Sequence, residues 1–547
     1  MRVYNILTIL PLSFILLFSI VVRSAAIPKE KVDSTTYWWI GVTSQGHLMP
    51  VSTEKYEANL IGDTYGNQVQ PLLLSNKGDV IWSEEPFKFK MQNGKFVLLE
   101  AKGEIVTTRV GNSLKEAYLY ASAKYFPPQN KMPEELLITA PQYNTWIELI
   151  YNQNQADILK YAHAIIENGF PAGVLMIDDN WQEDYGKWNF HPGRFPDPKK
   201  MMDELHALGF KVMLWVCPFV SPDCDVYRDL ASKGAFLVND NKQSVSSTLP
   251  TVDFRGNRKP EMVTWWNGIS AVLDLSNPVA ADWFNSRLTM LQKEFGVDGF
   301  KFDAGDAGFY AQGISKGGVS ANTQAELFGK VGLAFPLNEY RAMWKMGGQP
   351  LVQRLRDKAH SWEDLSKLVP SMELQGLMGY YFNCPDMIGG GEFTSFLAGA
   401  VIDQELIIRS AQCHALMPMM QFSVAPWRIL SKENLQTVQQ VVKLRQRFSS
   451  YILENVRKSA KSGIPAMRPM AFDYPECGAE NYNQQFMMGE ALLVAPVIAK
   501  GATFITVFLP SGKWKGFNGQ VYKGGSEITV PVTLFDLPYF INKGKDI

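Results

Sequence analysis

From about residue 143 to residue 455 the chain alternates between two hydrophobic rhythms. Apolar residues first recur at helical spacing, then run together briefly, and the cycle repeats. Residues 154–168 carry Ile158, Tyr161, Ile165 and Ile166 at helical spacing, and Gly169 follows as a C-cap. The strand 173–179 comes next, then a helix over 198–208 closed by Gly209, then a strand over 211–216. A helix over 279–295, opened by Asn277-Pro278, leads into Val297-Asp298-Gly299-Phe300-Lys301-Phe302-Asp303-Ala304-Gly305-Asp306. There Phe300 and Phe302 alternate with Lys301 and Asp303 before Ala-Gly breaks the strand. Strand–helix alternation over this length predicts a parallel α/β fold, a (β/α)8 TIM barrel.

The flanks read differently. Residues 27–141 hold strand-like runs at 37–40, 70–74, 87–90 and 95–99, with hairpin signals at 76–79 and 92–95, and predict an N-terminal β-sandwich. After about residue 455 the helices are expected to stop. Residues 456–547 predict a smaller C-terminal all-β domain, with strands at 491–497, 503–510 and 527–532 and a turn at 513–519. Residues 1–26 have the form of a signal peptide: Arg2, an apolar run from Ile6 to Val22, then Arg23-Ser24-Ala25-Ala26. Export, periplasmic or secreted, is the expectation, with an uncleaved N-terminal anchor as the alternative. No second run of about 20 apolar residues follows, so no stable membrane span is expected after cleavage.

Composition excludes several classes. Lys+Arg 53 against Asp+Glu 54 gives a net charge of −1, which offers nothing to nucleic acid. The five cysteines form no CxxC, and whether Cys217 and Cys224 pair stays open. The six histidines form no HxxxH pair, no phosphate-binding glycine motif precedes a helix, and there is no GxSxG elbow. No metal or cofactor is expected. The 14 Trp and 21 Tyr suit stacking on sugar rings, although large enzymes also bury many aromatics.

The polar residues collect at predicted strand ends. In a strand, positions i and i+2 share a face, so Lys301 and Asp303 point the same way, and in a parallel barrel that way is inward. Chemistry in such barrels sits at the C-terminal strand ends. Asp178, Asp179 and Trp181 end one strand, Trp215 sits in the next, and Asp357 and Asp386 lie in later segments. Several carboxylates at one mouth suit a polyhydroxylated substrate, with one ionised as nucleophile and one protonated as acid. Asp178-Asp179 holding a hard cation is the rival reading of that pair.

These residues resemble glycoside hydrolase family 31 over roughly residues 170–540. Phe300-Lys301-Phe302-Asp303 is similar to the family's nucleophile strand, which implies Asp303 as nucleophile. Asp357, five residues before Trp362-Glu363-Asp364-Leu365, is similar to the acid/base Asp. Asp386, in Pro-Asp-Met-Ile-Gly-Gly-Gly, resembles a sugar-binding Asp and is the alternative acid/base. Arg341 resembles a substrate-binding Arg, Asp178 the Asp that holds the terminal sugar hydroxyls, and residues 489–497 the C-terminal sheet signature. Two departures stand out. Gln421-Phe422-Ser423 replaces the family's Arg-x-His, and Arg356-Asp357-Lys358 replaces Gly-Asp-Asn. Phe-Asp-Ala-Gly-Asp resembles a branch with α-galactosidase activity. The resemblance implies a retaining exo-α-glycosidase acting on an oligosaccharide or glycoside, with Asp178, Asp179, Trp181, Trp215, Lys301, Arg341 and Asp386 binding substrate. Activity on α-galactosides is expected ahead of α-glucosides or α-xylosides. An inactive carbohydrate-binding protein is the non-enzyme alternative.

Overall fold

The computed structural model describes residues 36–239, 258–475 and 478–547. The expected signal peptide and Cys477 lie outside the described residues. Eight short strands form one parallel sheet in chain order: β1 (Gln142–Asn144), β2 (Val174–Ile177), β3 (Lys211–Val216), β4 (Gly299–Phe302), β5 (Leu337–Tyr340), β6 (Gln353–Arg354), β7 (Asn383–Cys384) and β8 (Gln421–Phe422). β8 pairs back onto β1, and the Ile388 N–H donates to the Gln421 carbonyl at 2.8 Å across the remaining seam. This is the expected TIM barrel, nearly closed.

β4 shows how such a strand is held, through an apolar outer face. Phe300 and Phe302 of β4 pack against Phe335 (ring centroids 5.0 Å from Phe300) and Phe328 (5.8 Å from Phe302) in the helical layer. Lys301 is left facing inward. Around the sheet, the helix Pro278–Phe295 starts on an Asn277 side-chain cap and ends on Gly296, whose φ of 81° is left-handed. Helices Gln155–Glu167 and Pro198–Ala207 are likewise capped by Asn154 and Asp197.

The N-terminal region folds into two antiparallel sheets, followed by the helix Leu114–Tyr125. In the second sheet Asn93 and Gly94 both take positive φ (51° and 68°), as a two-residue hairpin turn requires. The first sheet does not stop at its own chain segment. Met343–Trp344, just beyond β5, pairs in parallel with Gln68 and Val69.

Two expectations fail at the C-terminal end. The helix Lys432–Ser462 runs on past residue 455, because the buried stripe Val438, Val441, Val442, Phe448, Ile452, Val456 keeps helical spacing until Gly463 stops it at φ 74°. Lys513–Gly516 is a strand rather than a turn. Trp514 is buried between exposed Lys513 and Lys515, an alternation that the glycines after it disguise in the sequence. Strands Leu492–Val494 and Phe504–Leu509 fall within the expected runs of this all-β region, and Ser526–Pro531 overlaps the third, offset by one residue. Cys217 and Cys224 are both buried free thiols and do not pair. Among the described residues no helix is long and apolar enough to cross a membrane.

Candidate active site

Strand register assembles the site. Trp215 on β3 pairs with Lys301 on β4, and Lys301 with Glu339 on β5. Ile177 pairs with Leu214, so Asp178 arrives one step on, level with Trp215. The next step brings Asp303 off β4 and Arg341 off β5 side by side.

Asp303 is fully committed. Arg341 Nε donates to its Oδ1 at 2.7 Å, and Trp215 Nε1 donates to its Oδ2 at 3.1 Å. The Ala304 N–H also donates to Oδ1, at 2.8 Å; Ala304 takes a φ of 57°, uncommon for a non-glycine residue, in the turn that makes this contact. Burial alone would raise the Asp303 carboxyl. The Arg341, Lys301 and Arg354 charges outweigh it and hold the group well below the usual carboxylate range. Arg341 is itself fixed from behind by Asp306 and by the Gly66 carbonyl, which accepts at 2.9 Å.

Lys301 Nζ donates to Asp178 Oδ2 at 2.6 Å, both groups buried. Burial disfavours the ammonium, but the Asp178 charge keeps it protonated and moves its pKa up. Neighbouring Asp179 accepts from Tyr185 Oη at 3.1 Å and from Asn267 Nδ2, and burial plus the Asp178 charge push it up to about 7. Trp181 is placed differently. It has no exposed surface, packs against Trp188 and Phe190, and donates its indole N–H to the Trp215 carbonyl at 2.8 Å. It presents no face to a sugar and supports β3 instead.

Across the mouth, one guanidinium serves three carboxylates. Arg354 Nη1 donates to Asp357 Oδ1 at 2.7 Å and to Asp386 Oδ1 at 2.8 Å, and Arg354 Nε lies 3.3 Å from Glu339 Oε1. Asp386 is buried, and its Oδ2 also accepts from the Lys358 N–H (2.6 Å) and the Gly391 N–H (2.9 Å). Burial and the adjacent Asp357 charge push Asp386 up to about 6. The Asp357 side chain, by contrast, is 43% exposed and open to the mouth's solvent. Gly391 sits so close to both that a Cβ there would meet Asp386 Oδ1 at 2.8 Å and Asp357 Oδ1 at 3.0 Å.

The structure thus gathers Asp303, Arg341, Trp215, Lys301, Asp178 and Asp179 into one contact network, and Asp357 with Asp386 into another. Ser423, in place of the family His, turns its Oγ to accept the Ile147 N–H at 2.8 Å. Sequence reasoning missed Arg354, Tyr185, Asn267 and Glu339. Arg354 carries the one readable signal, a charge inside the apolar run Leu351–Leu355. It missed also that the N-terminal sheet reaches this far. Asn67 Nδ2 donates to the carbonyls of Arg341 (2.9 Å) and Arg354 (3.1 Å), and Gln68 Nε2 donates to the same two at 2.7 and 3.0 Å.

The chain is similar to known proteins. Residues 140–341 match the glycosyl hydrolases family 31 TIM-barrel domain, and residues 463–547 match the glycosyl hydrolase family 31 C-terminal domain. The mouse myogenesis-regulating glycosidase is 30% identical over 444 residues, covering 78% of this chain and 59% of the relative. The 1,3-alpha-isomaltosidase of Kribbella flavida is 29% identical over 354 residues, covering 59% of this chain and 46% of the relative. The chain therefore spans about half the length of these curated relatives. Among solved structures, the Flavobacterium johnsoniae GH31 dextranase complexed with glucose has a TM-score of 0.79 at 21% identity, covering 94% of this chain and 66% of that one.

Proposed function

The chain belongs to glycoside hydrolase family 31, and on that premise we propose that it is a retaining exo-α-glycosidase acting first on terminal α-galactosides. The observation that carries this reading is the contrast between the two carboxylate groups at the mouth. Asp303 is buried, gripped by Arg341 and Trp215, and ionised, as a nucleophile must be. Its oxygens lie at a β4 end, where an anomeric carbon would be attacked. Asp357 supplies the second group. It protonates the leaving oxygen while Asp303 forms the glycosyl–enzyme bond, then takes a proton from the water that breaks that bond. Asp386 is the weaker candidate on geometry, because Arg354 and two backbone N–H groups already occupy its oxygens. Its role in this reading is to hold Arg354 and the 358–391 contact in place.

The glycone preference rests on the β2 end. Asp178 and Asp179 sit where a terminal sugar's O4 and O6 would reach, and Ser423 leaves out a ring that the family His would supply. An epimer that leaves Asp178 without its hydrogen bond forfeits about 1.5–3 kcal/mol, roughly ten- to a hundredfold in rate. A panel of p-nitrophenyl α-galactoside, α-glucoside and α-xyloside tests this. The expected result is kcat/KM for the galactoside at least tenfold above the glucoside (order of magnitude), narrowing in Asp178→Asn. A faster glucoside or xyloside would sink the galactoside preference. A β-anomer as first product, read by NMR, would sink the retaining mechanism itself.

A further inference from the structure

We infer that the leaving-group side of this mouth is built for an anionic aglycone, one bearing a carboxylate, sulfate or phosphate, with Arg356 and Lys358 as its binding groups. The inference rests on the hydrolase reading above, because it places the leaving group beside Asp357.

The argument is a census of charge around the mouth. Lys301 is spent on Asp178, Arg341 on Asp303 and Asp306, and Arg354 on Asp357, Asp386 and Glu339. Two cations remain, one on each side of Asp357 in the chain. Among the described residues neither Arg356 nor Lys358 has a carboxylate within 4.0 Å. Arg356 is exposed, and its backbone is fixed at the site. Its backbone N–H is held by Asn67 Oδ1 at 3.0 Å, and its Nη1 lies 3.6 Å from where a Cβ on Gly66 would sit. Arg341 Nη1 lies 3.7 Å from that same point. The free guanidinium is therefore a neighbour of the one that grips the nucleophile. Gly66, at φ 69°, has no side chain to separate them. Lys358 Nζ donates to the Arg356 main-chain carbonyl at 2.8 Å, and the ammonium lies within the field of the Arg356 guanidinium.

Like charges left unpaired at a rim repel and are ordinarily dispersed or neutralised. Here burial and the Arg356 and Arg354 charges push the Lys358 ammonium down to about 8, against the pull of Asp386 and Asp364. An anion placed between the two would relieve that field. A planar guanidinium and a flexible ammonium are both general receptors for carboxylate, sulfate or phosphate. The glycone side offers the opposite: the Asp178 and Asp179 carboxyls, suited to neutral hydroxyls.

The test compares two glycosides of the sugar that the panel above favours, one on 4-hydroxybenzoate and one on 4-hydroxybenzamide. They match in size and differ in one charge. The wild-type protein at low salt is expected to favour the carboxylate by tenfold or more in kcat/KM, carried by KM, and to lose that preference as NaCl shortens the screening length. Arg356→Gln and Lys358→Gln should each narrow the ratio, and the double variant should bring it below threefold. Competition by free phenyl sulfate, phenyl phosphate and benzoate then separates the three anion types. A wild-type ratio near one, with the benzamide glycoside turned over normally, overturns the anion site and leaves the hydrolase reading standing. A salt-insensitive preference, or one unaltered in both variants, also overturns it. If neither glycoside is cleaved, the hydrolase reading falls and takes this inference with it.

Discussion

The two sides of the barrel mouth treat the same functional group in opposite ways. On the β4–β5 side one carboxylate, Asp303, receives a guanidinium, an indole N–H and a backbone N–H, and its proton is driven off. On the β6–β7 side two carboxylates share a single Arg354 nitrogen, and the buried member is pushed up to about 6. Burial is severe for both Asp303 and Asp386, so burial does not explain the difference. Nor does the number of donors, which is three for each. The neighbouring charge does: Arg341, Lys301 and Arg354 surround Asp303, whereas Asp386 has the Asp357 carboxylate beside it. An ionised carboxylate and one that holds its proton more readily can thus be made from one residue type by the charges placed around neighbouring strand ends.

The contrast can be broken from either side. Asp303→Ala has the largest expected effect, a loss of roughly 10⁴-fold or more in kcat for every substrate, since nothing else can form the glycosyl bond. Trapping a fluoroglycoside and finding the label off Asp303 in the wild-type protein would contradict it. Asp357→Ala is expected to cost about 10²–10⁴-fold with poor leaving groups and much less with nitrophenols, with partial rescue by azide. If Asp386→Ala shows that pattern instead, the assignment of the two reverses.

Smaller effects sharpen the comparison. Arg341→Gln removes the largest cation holding Asp303 down. The Asp303 carboxyl then rises, and the acid limb of the kcat/KM profile should move to higher pH while the alkaline limb stays. A profile that shifts at its alkaline limb would count against this. Asp179→Asn probes stability. Asp179 is pushed up to about 7 in the fold, above its ordinary value, so its contribution is intact below about pH 4 and is lost as pH rises through 7. The Asn variant should therefore melt a few degrees higher than wild type at pH 8 and show no gain at pH 4. Equal melting temperatures at pH 8 would mean that Tyr185 and Asn267 already offset the burial.

How much of this was legible in the sequence depends on the range of each contact. The β4 strand was readable because its signal is local: period-two alternation aims Lys301 and Asp303 together whatever surrounds them. The barrel followed from the alternation of strands and helices. Trp181 was misread because an aromatic at a strand end looks the same whether it faces a ligand or packs beneath a neighbour. Arg354 escaped notice because its three carboxylate partners come from three different segments. Asn267 and Tyr185 met Asp179 only through folding, the first from 88 residues away. The helix that passes residue 455 shows the same rule in reverse, since its apolar stripe was local and could have been followed to Gly463.

Asn67 and Gln68 each bond the carbonyls of both Arg341 and Arg354, and Asn67 also accepts the Arg356 N–H. The two catalytic halves are therefore spaced by side chains from a sheet some 270 residues earlier in the chain. This makes the barrel a poor candidate for transplantation. A fragment beginning at β1 would keep every acidic residue of the mouth and lose the brace that sets the gap between them. In engineering terms the N-terminal sheets are part of the tool rather than its handle. Directed changes at Asn67 should retune the spacing of nucleophile and acid without touching either.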